Sequence, residues 1–332
     1  MIIDPDPSSG GPPTIGGLRV KNGYSIFEAG ANPLISPLLG VGTWMYWMPE
    51  RGALRIGRDN TGTSWNPSFN VGMYSFSSGL DNIASGEGSV AFGLNTTASG
   101  KNSLSLGNSS TAAGNSSLAG GSNSSSNALF SFAFGLNNTA NSLFSVAFGQ
   151  NNTAGVTGPV GIGSFVIGSN NTVTDNNSFA LGQNCLANFK QSMAGGSNSQ
   201  TNADNSLAFG DNVSIGVAGT NSVAFGQSNS VNSANSFTSG NLHNNSGQNS
   251  VIFGHGNSTS LTASNGFAIG DQVSSVGKNS IATGQNTSAN GFQSFSGGIG
   301  LAGPPNQANG NQSFAFGTDV IANGDNSVVL VS

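Results

Sequence analysis

One short phrase recurs along this chain with almost no loss of register. SVAFGLNTTASGKN (89–102) is followed at once by SLSLGNSSTAAGNS (103–116). With the opening residue as position one, phrases begin at 75, 89, 103, 117, 131, 145, 164, 178, 192, 206, 222, 236, 250, 266, 280, 294, 313 and 327. Thirteen of the seventeen spacings are 14 residues, and the others are 19, 16, 16 and 19. A unit of 14 residues is too short for a helix plus a strand, yet it accommodates two short strands and two turns. That is one coil of a solenoid, whose backbone groups are satisfied by the coils above and below.

The phrase has an internal logic. Position two is apolar in all eighteen copies, position three is usually Ala or Ser, and position four is large and apolar in twelve. Alternation with period two, rich in β-branched and aromatic residues, predicts a strand. Position five is Gly in seventeen copies, including Gly93, Gly107, Gly135, Gly149, Gly182, Gly210, Gly226 and Gly254. These are expected as turn glycines, free to adopt positive φ at a corner where a Cβ would clash. Asn often precedes the opening Ser, as at Asn102, Asn177, Asn205, Asn235 and Asn279, and Asn tolerates the left-handed region best after Gly. At about 4.8 Å per paired strand, eighteen coils make a rod roughly 80–90 Å long.

Composition then separates this reading from disorder. The abundance of Gly, Ser and Asn is accompanied by 21 Phe and only 6% charged residues, whereas disordered chains are poor in hydrophobes and highly charged. From residue 75 onward the only cations are Lys101, Lys190 and Lys278, facing eight acids. No basic stripe is available to neutralise phosphates, so nucleic acid is not an expected partner. The N-terminus, MIIDPDPSSGG, lacks the basic and apolar regions of a Sec signal peptide. No apolar run approaches the ~20 residues of a membrane helix, and membrane insertion is not expected.

The phrase SVAFG-x-N-x-T-A-x-G-x-N resembles the head repeat of YadA-like trimeric autotransporter adhesins, a haemagglutinin-type repeat with the pattern NSVAIG-x-x-S-x-A-x-G. The resemblance spans residues 75–332. It implies an all-β, left-handed parallel β-roll (a β-solenoid) of about 18 coils, three chains of which associate side by side. The coiled-coil stalk and membrane barrel of that family have no counterpart in this sequence. Similar rolls without an anchor occur in phage tail fibres and in the surface fibres of large viruses.

Positions two and four share one strand face. The resulting stripe comprises Val90, Phe92, Phe132, Phe134, Val146, Phe148, Leu207, Phe209, Val223, Phe225, Val251, Phe253, Phe314 and Phe316. A strip ~85 Å long and ~10 Å wide exceeds the ~300–600 Å² apolar patch typical of a monomer. Either it fills the roll interior or it meets partner chains. The second half-coil offers mainly Ala (Ala84, Ala98, Ala112, Ala140), which favours Ala inside the roll and the stripe in the core of a homotrimer.

Three regions are expected: a Pro/Gly-rich extended arm (1–16), an aromatic-rich β cap or attachment region (17–74), and the repeat roll (75–332). In the second, TWMYWMPERGALRIG reads as two strands joined by Pro49-Glu50-Arg51-Gly52. It would cap the first coil against unwanted strand pairing or attach the rod to a parent fibre or virion. The inter-coil insertions supply candidate binding-loop residues, Thr157, Pro159, Pro304, Pro305 and Asn306.

Catalytic chemistry is not legible. His243 and His255 read as surface-loop residues, and Asp204 and Asp211 as solubilising charges rather than an acid/base pair. Cys185 is alone, so no thiolate metal cluster can form, and neither Gly-Lys pair continues as a phosphate loop. No catalytic residue, metal or cofactor is expected. The function expected is an extracellular, cell-surface or virion-surface fibre head that attaches to a host-surface glycan or protein. The alternative is a purely structural filament subunit without a receptor. An ice-binding solenoid would need a regular Thr array, which is missing.

Overall fold

Because equivalent residues recur at a fixed interval, in-phase parallel pairing is the only register that keeps every side chain on its proper face. The computed structural model describes residues 41–48, 50–66, 68–155, 162–301 and 305–331. Every element in them is a β-strand. The 1–16 arm, the start of the cap with Tyr24, and Pro49 lie outside the described residues.

Each coil contributes a five-residue strand over positions two to six and, in most coils, a two-residue strand at positions nine and ten. Val90–Leu94 pairs with Leu104–Asn108 so that Val90 meets Leu104, Phe92 meets Leu106 and Gly93 meets Gly107. The 19-residue spacing before Ser164 leaves this register untouched, with Val146 opposite Phe165 and Gly149 opposite Gly168. Short strands stack likewise, Thr97 on Thr111 and Ala98 on Ala112. Eighteen long strands form one parallel ladder from Phe76–Leu80 to Val328–Leu330. The molecule is a parallel β-solenoid of about eighteen turns.

The interior is thin because the residues that fill it are small. Ala91, Ala133 and Ala147 at position three pack with Ala98, Ala140 and Ala154 at position ten, and all are fully buried. Both sides enlarge at Val166 and Val173, whereas Ile215 and Val231 enlarge one side only, against Ala208 and Ala224. At Thr238 the interior pair is polar, and Asn245 Nδ2 donates to its hydroxyl at 2.9 Å. The opening Ser is buried in the turn, where its hydroxyl commonly donates to the carbonyl three residues earlier, Ser89 to Gly86 at 2.7 Å and Ser131 to Ala128 at 2.6 Å.

Position eight carries a second internal device. Asn152 Nδ2 donates to Phe148 O (2.9 Å) and, in the next coil, to Gly168 O (2.7 Å), while its Oδ1 accepts from the Asn171 N–H (3.0 Å). Asn82, Asn138, Asn171, Asn229, Asn257 and Asn306 do the same. Cys185 occupies this position in its own coil, buried, and its N–H donates to Asn171 Oδ1 at 2.8 Å. Burial raises the thiol pKa.

Most coils turn at two left-handed residues, at positions seven and fourteen, and where these are not Gly φ lies between 50° and 60°. The expected Asn102, Asn177, Asn205, Asn235 and Asn279 are among them. The position-five glycines do adopt positive φ, from 95° to 146°, but they lie within the long strand rather than at a corner. What demands Gly there is the neighbouring coil. A Cβ at Gly93 would sit 1.9 Å from Gly107 O, and one at Gly149 would sit 2.1 Å from Gly168 O.

The roll begins one rung before Ser75. The strand Gly42–Met48 (β1) pairs antiparallel with Ala53–Asp59 (β2), and β2 pairs in parallel with Phe76–Leu80 (β3). Ala53-Leu54-Arg55-Ile56-Gly57 is thus a phrase in register, with Leu54 opposite Phe76 and Gly57 opposite Gly79. Arg55 stands at position three, where later coils have Ala, and is fully buried. Its guanidinium donates to Ser75 O (3.1 Å), Ser75 Oγ (2.8 Å) and Ala84 O (3.0 Å). Burial, aided by Arg51, pulls its pKa down to about 10. Trp65, also buried, donates its indole N–H to Asn82 O at 3.2 Å. The end of the roll is therefore closed by side chains that bond to the first coil's carbonyls.

Candidate functional site

With position three turned inward, period two turns positions two, four and six outward. Every residue expected in the stripe lies on this face. Its position-two members Val90, Phe132, Val146, Leu207, Val223, Val251 and Phe314 are half-buried between neighbouring coils. Position four projects further, and Phe92, Phe134, Phe148, Phe209, Phe225, Phe253 and Phe316 are between 36% and 53% exposed. In the single chain the stripe thus faces outward and the roll interior is filled without it. Leu94 and Leu136, at position six of the same face, are exposed too and widen it.

The rings along this face are arranged rather than merely exposed. Phe134 and Phe148 stack with centroids 6.0 Å apart, Phe165 and Phe179 at 5.1 Å, and Phe295 and Phe314 at 4.8 Å. Small residues at position four act as seats. A Cβ on Gly120 would come within 2.5 Å of the Phe134 ring, and one on Gly195 within 2.3 Å of the Phe209 ring. Gly297 bears the same relation to Phe316. At these three coils the gap in the position-four pattern is filled by the ring of the next coil, while Ser78, Ser239 and Thr283 interrupt the apolar row with polar side chains.

Other candidates resolve differently. Asn306, expected in a binding loop, is fully buried and spends its amide on Gly317 O and the Val320 N–H. It belongs to the interior ladder and presents nothing to a ligand. Pro305 beside it is half-buried. Thr157, Pro159 and Pro304 lie outside the described residues.

His243 is not a surface-loop residue. It takes the position-eight place of Asn, is 2% exposed, and its Nε2 lies 3.1 Å from Ser239 O. Because the Asn257 N–H can only donate, His243 Nδ1, 3.1 Å away, must accept. The ring is therefore the neutral Nε2–H tautomer. His255 is exposed and pairs with Asp271 at 2.9 Å. Asp204 accepts from the Lys190 N–H, and Asp211 from Gln227. Among the described residues no three or more His, Cys, Asp or Glu converge as a metal site. What this arrangement supports is association through a long apolar face.

A comparison with curated proteins finds no match. A family model described as the YadA head domain repeat matches residues 72–96, 84–109, 98–124, 127–152, 160–184, 190–212, 275–295 and 308–330. The matches reach from the first coil of the ladder to the last, leave residues 213–274 unmatched, and cover just over half of the chain. An in-register parallel solenoid with Ala within and an apolar stripe without, matched over just more than half of its residues by that model, belongs to the YadA head family of adhesins.

Proposed function

We propose that this chain is the attachment head of a cell-surface or virion-surface fibre and works as a homotrimer, three stripes packing on a common axis. The observation that carries the reading is the outward Val/Phe face, which recurs from one end of the ladder to the other and is exposed in one chain. Removing a large apolar side chain from water stabilises by roughly 1.5–3 kcal/mol, so many coils acting together make solitary exposure untenable. Three stripes facing inward leave the polar, nearly uncharged faces and corners outermost. Such a surface suits a host glycan or protein held by many weak hydrogen bonds and multiplied by avidity. The N-terminal region would join the head to its parent fibre.

Light scattering on the purified chain tests the assembly directly. The wild type should have three times the mass of one chain. Phe148→Asp with Phe209→Asp would place carboxylates at the axis, where unpaired charge is costly to bury. The pair should yield monomers that keep their β-type circular dichroism. A monodisperse wild-type monomer overturns the trimer, and growth into filaments favours the purely structural alternative.

A further inference from the structure

One corner of the rod departs from its own rule. At position fourteen, backbone bonds link each coil to the preceding one, and the left-handed residue there is usually Asn, Gln or Ser. From Asn205 through Asn221, Asn235, Asn249 and Asn265 to Asn279 the amides bond in series at 2.7–3.2 Å. Two successive coils instead carry Phe130 and Phe144, with φ of 54° and 57°. A bulky side chain in this region is an outlier held only where the surroundings over-determine it, and such strain gathers at functional sites. Neither ring is buried in exchange: Phe130 is 50% exposed and Phe144 54%. They stack on each other, centroids 5.3 Å apart and planes 3° from parallel.

The neighbours on this corner form a site of definite chemistry. The next coil places Gly163 there, so no side chain follows Phe144 in the ladder. The backbone bonds Phe144 N–H to Leu129 O (3.2 Å), Gly163 N–H to Leu143 O (2.9 Å) and Asn177 N–H to Ile162 O (2.7 Å) keep the three in line. Asn177 leans back over the glycine, its Oδ1 2.9 Å from where a Cβ would stand. Exposed Leu129 and Ile162 flank the rings. Positions thirteen and fourteen carry no charge over five coils, from Asn115 and Ser116 to Asn176 and Asn177. The nearby Asp175 turns its carboxylate onto the Asn176 N–H at 2.7 Å.

An open aromatic face, a glycine seat, an amide at its rim and no charge together select a neutral ring with an apolar face and a polar edge. We propose that this corner is a binding platform for a neutral pyranose of a surface glycan, its C–H face on the Phe144 ring above Gly163 and its hydroxyls bonded to the Asn177 amide. The electron-rich ring face attracts the polarised C–H groups, and the amide fixes orientation. The site rests on the reading of the rod as an attachment head.

The full chain, as wild type and as Phe130→Asn with Phe144→Asn, is tested on a printed array of neutral and anionic oligosaccharides, with cell adhesion measured in parallel. The variant restores the ladder residue at both left-handed positions, so it should fold at least as well as the wild type. The wild type should bind neutral glycans, and the variant should lose at least tenfold in affinity at unchanged oligomeric mass. Asn177→Ala should weaken binding less. Equal binding by the variant, or binding to anionic glycans only, overturns the platform, and a changed mass would mean that the corner is a contact between copies. Adhesion to cells with a blank array leaves the attachment reading standing and removes this site. Absence of both removes both.

Discussion

At the scale of single residues, most of the phrase is explained by hydrogen-bond satisfaction. Ser at position one and Asn at position eight recur because a thin interior with few side chains leaves turn carbonyls and N–H groups that need a local partner. His243 shows how specific this requirement is, since only its neutral Nε2–H tautomer reproduces the donor and acceptor of the Asn it replaces. Burial, and secondarily the nearby His255, lowers its pKa. His255 is itself paired with Asp271. Unfolded, the ring takes up its proton near pH 6.5, while folded it does so only at lower pH. Between these values the unfolded chain binds more protons, so stability is complete above pH 6.5 and declines as the pH falls through the window. The melting temperature should be lower at pH 5 than at pH 7.5, and His243→Asn should remove most of that difference. An undiminished difference in the variant would assign the effect to another group.

At the scale of the coil, the limiting contact is backbone against backbone. Gly149 has φ of 119° and its Cα faces Gly168 O across the ladder. Gly149→Ala would meet strain of about 1–3 kcal/mol from the dihedral alone, together with a 2.1 Å approach that neither strand can relieve singly. It should lower the denaturation midpoint and open the flanking coils in hydrogen exchange, leaving distant coils protected, because a solenoid couples mainly nearest neighbours. Uniform loss of protection along the whole rod would contradict that one-dimensional picture. Gly195→Ala makes an informative contrast. Its φ is not in the left-handed region, and its added methyl would meet only the Phe209 ring, which can swing aside. Folding should survive, and the apolar face should be disturbed instead.

At the scale of the whole molecule, the stability of one chain and the assembly of several are separable. The Ala interior and the amide ladder need no partner, whereas the Val/Phe face does. Association that buries this face stabilises the folded chain by mass action. The melting temperature should therefore rise with protein concentration in the wild type and be flat in Phe148→Asp with Phe209→Asp. Equal concentration dependence in both would place the association elsewhere on the rod. The N-terminal closure works at the same scale. β1 covers β2 by antiparallel pairing, and Arg55 plugs the roll interior, so the first parallel rung has no bare edge.

The repeat length, the strand faces and the left-handed corner at position fourteen were legible in the sequence, because each is a local property of a phrase copied eighteen times, whereas the second corner lies at position seven and not at the expected position-five Gly. Periodicity alone placed Val90 and Phe92 on one face and Ala91 on the other. It could not say which face is inside, since that depends on the width of the roll, and the width is known only when Ala91 and Ala98 are seen to meet in a closed interior. His243 and Asn306 were misplaced for a related reason. A polar residue in a polar phrase reads as surface until the adjacent coil is seen to supply its partners. Arg55 is not legible as part of the roll because β2 starts 22 residues ahead of the first phrase at Ser75 and carries a cation where the pattern has Ala. The position-five glycines were recognised by their frequency, but their reason lies in the carbonyl of the next coil, which no single phrase contains. The sequence by itself determined the coil, because strand and turn preferences act within 14 residues. Tertiary structure decided what each coil hides and what it shows, because burial is a relation between coils.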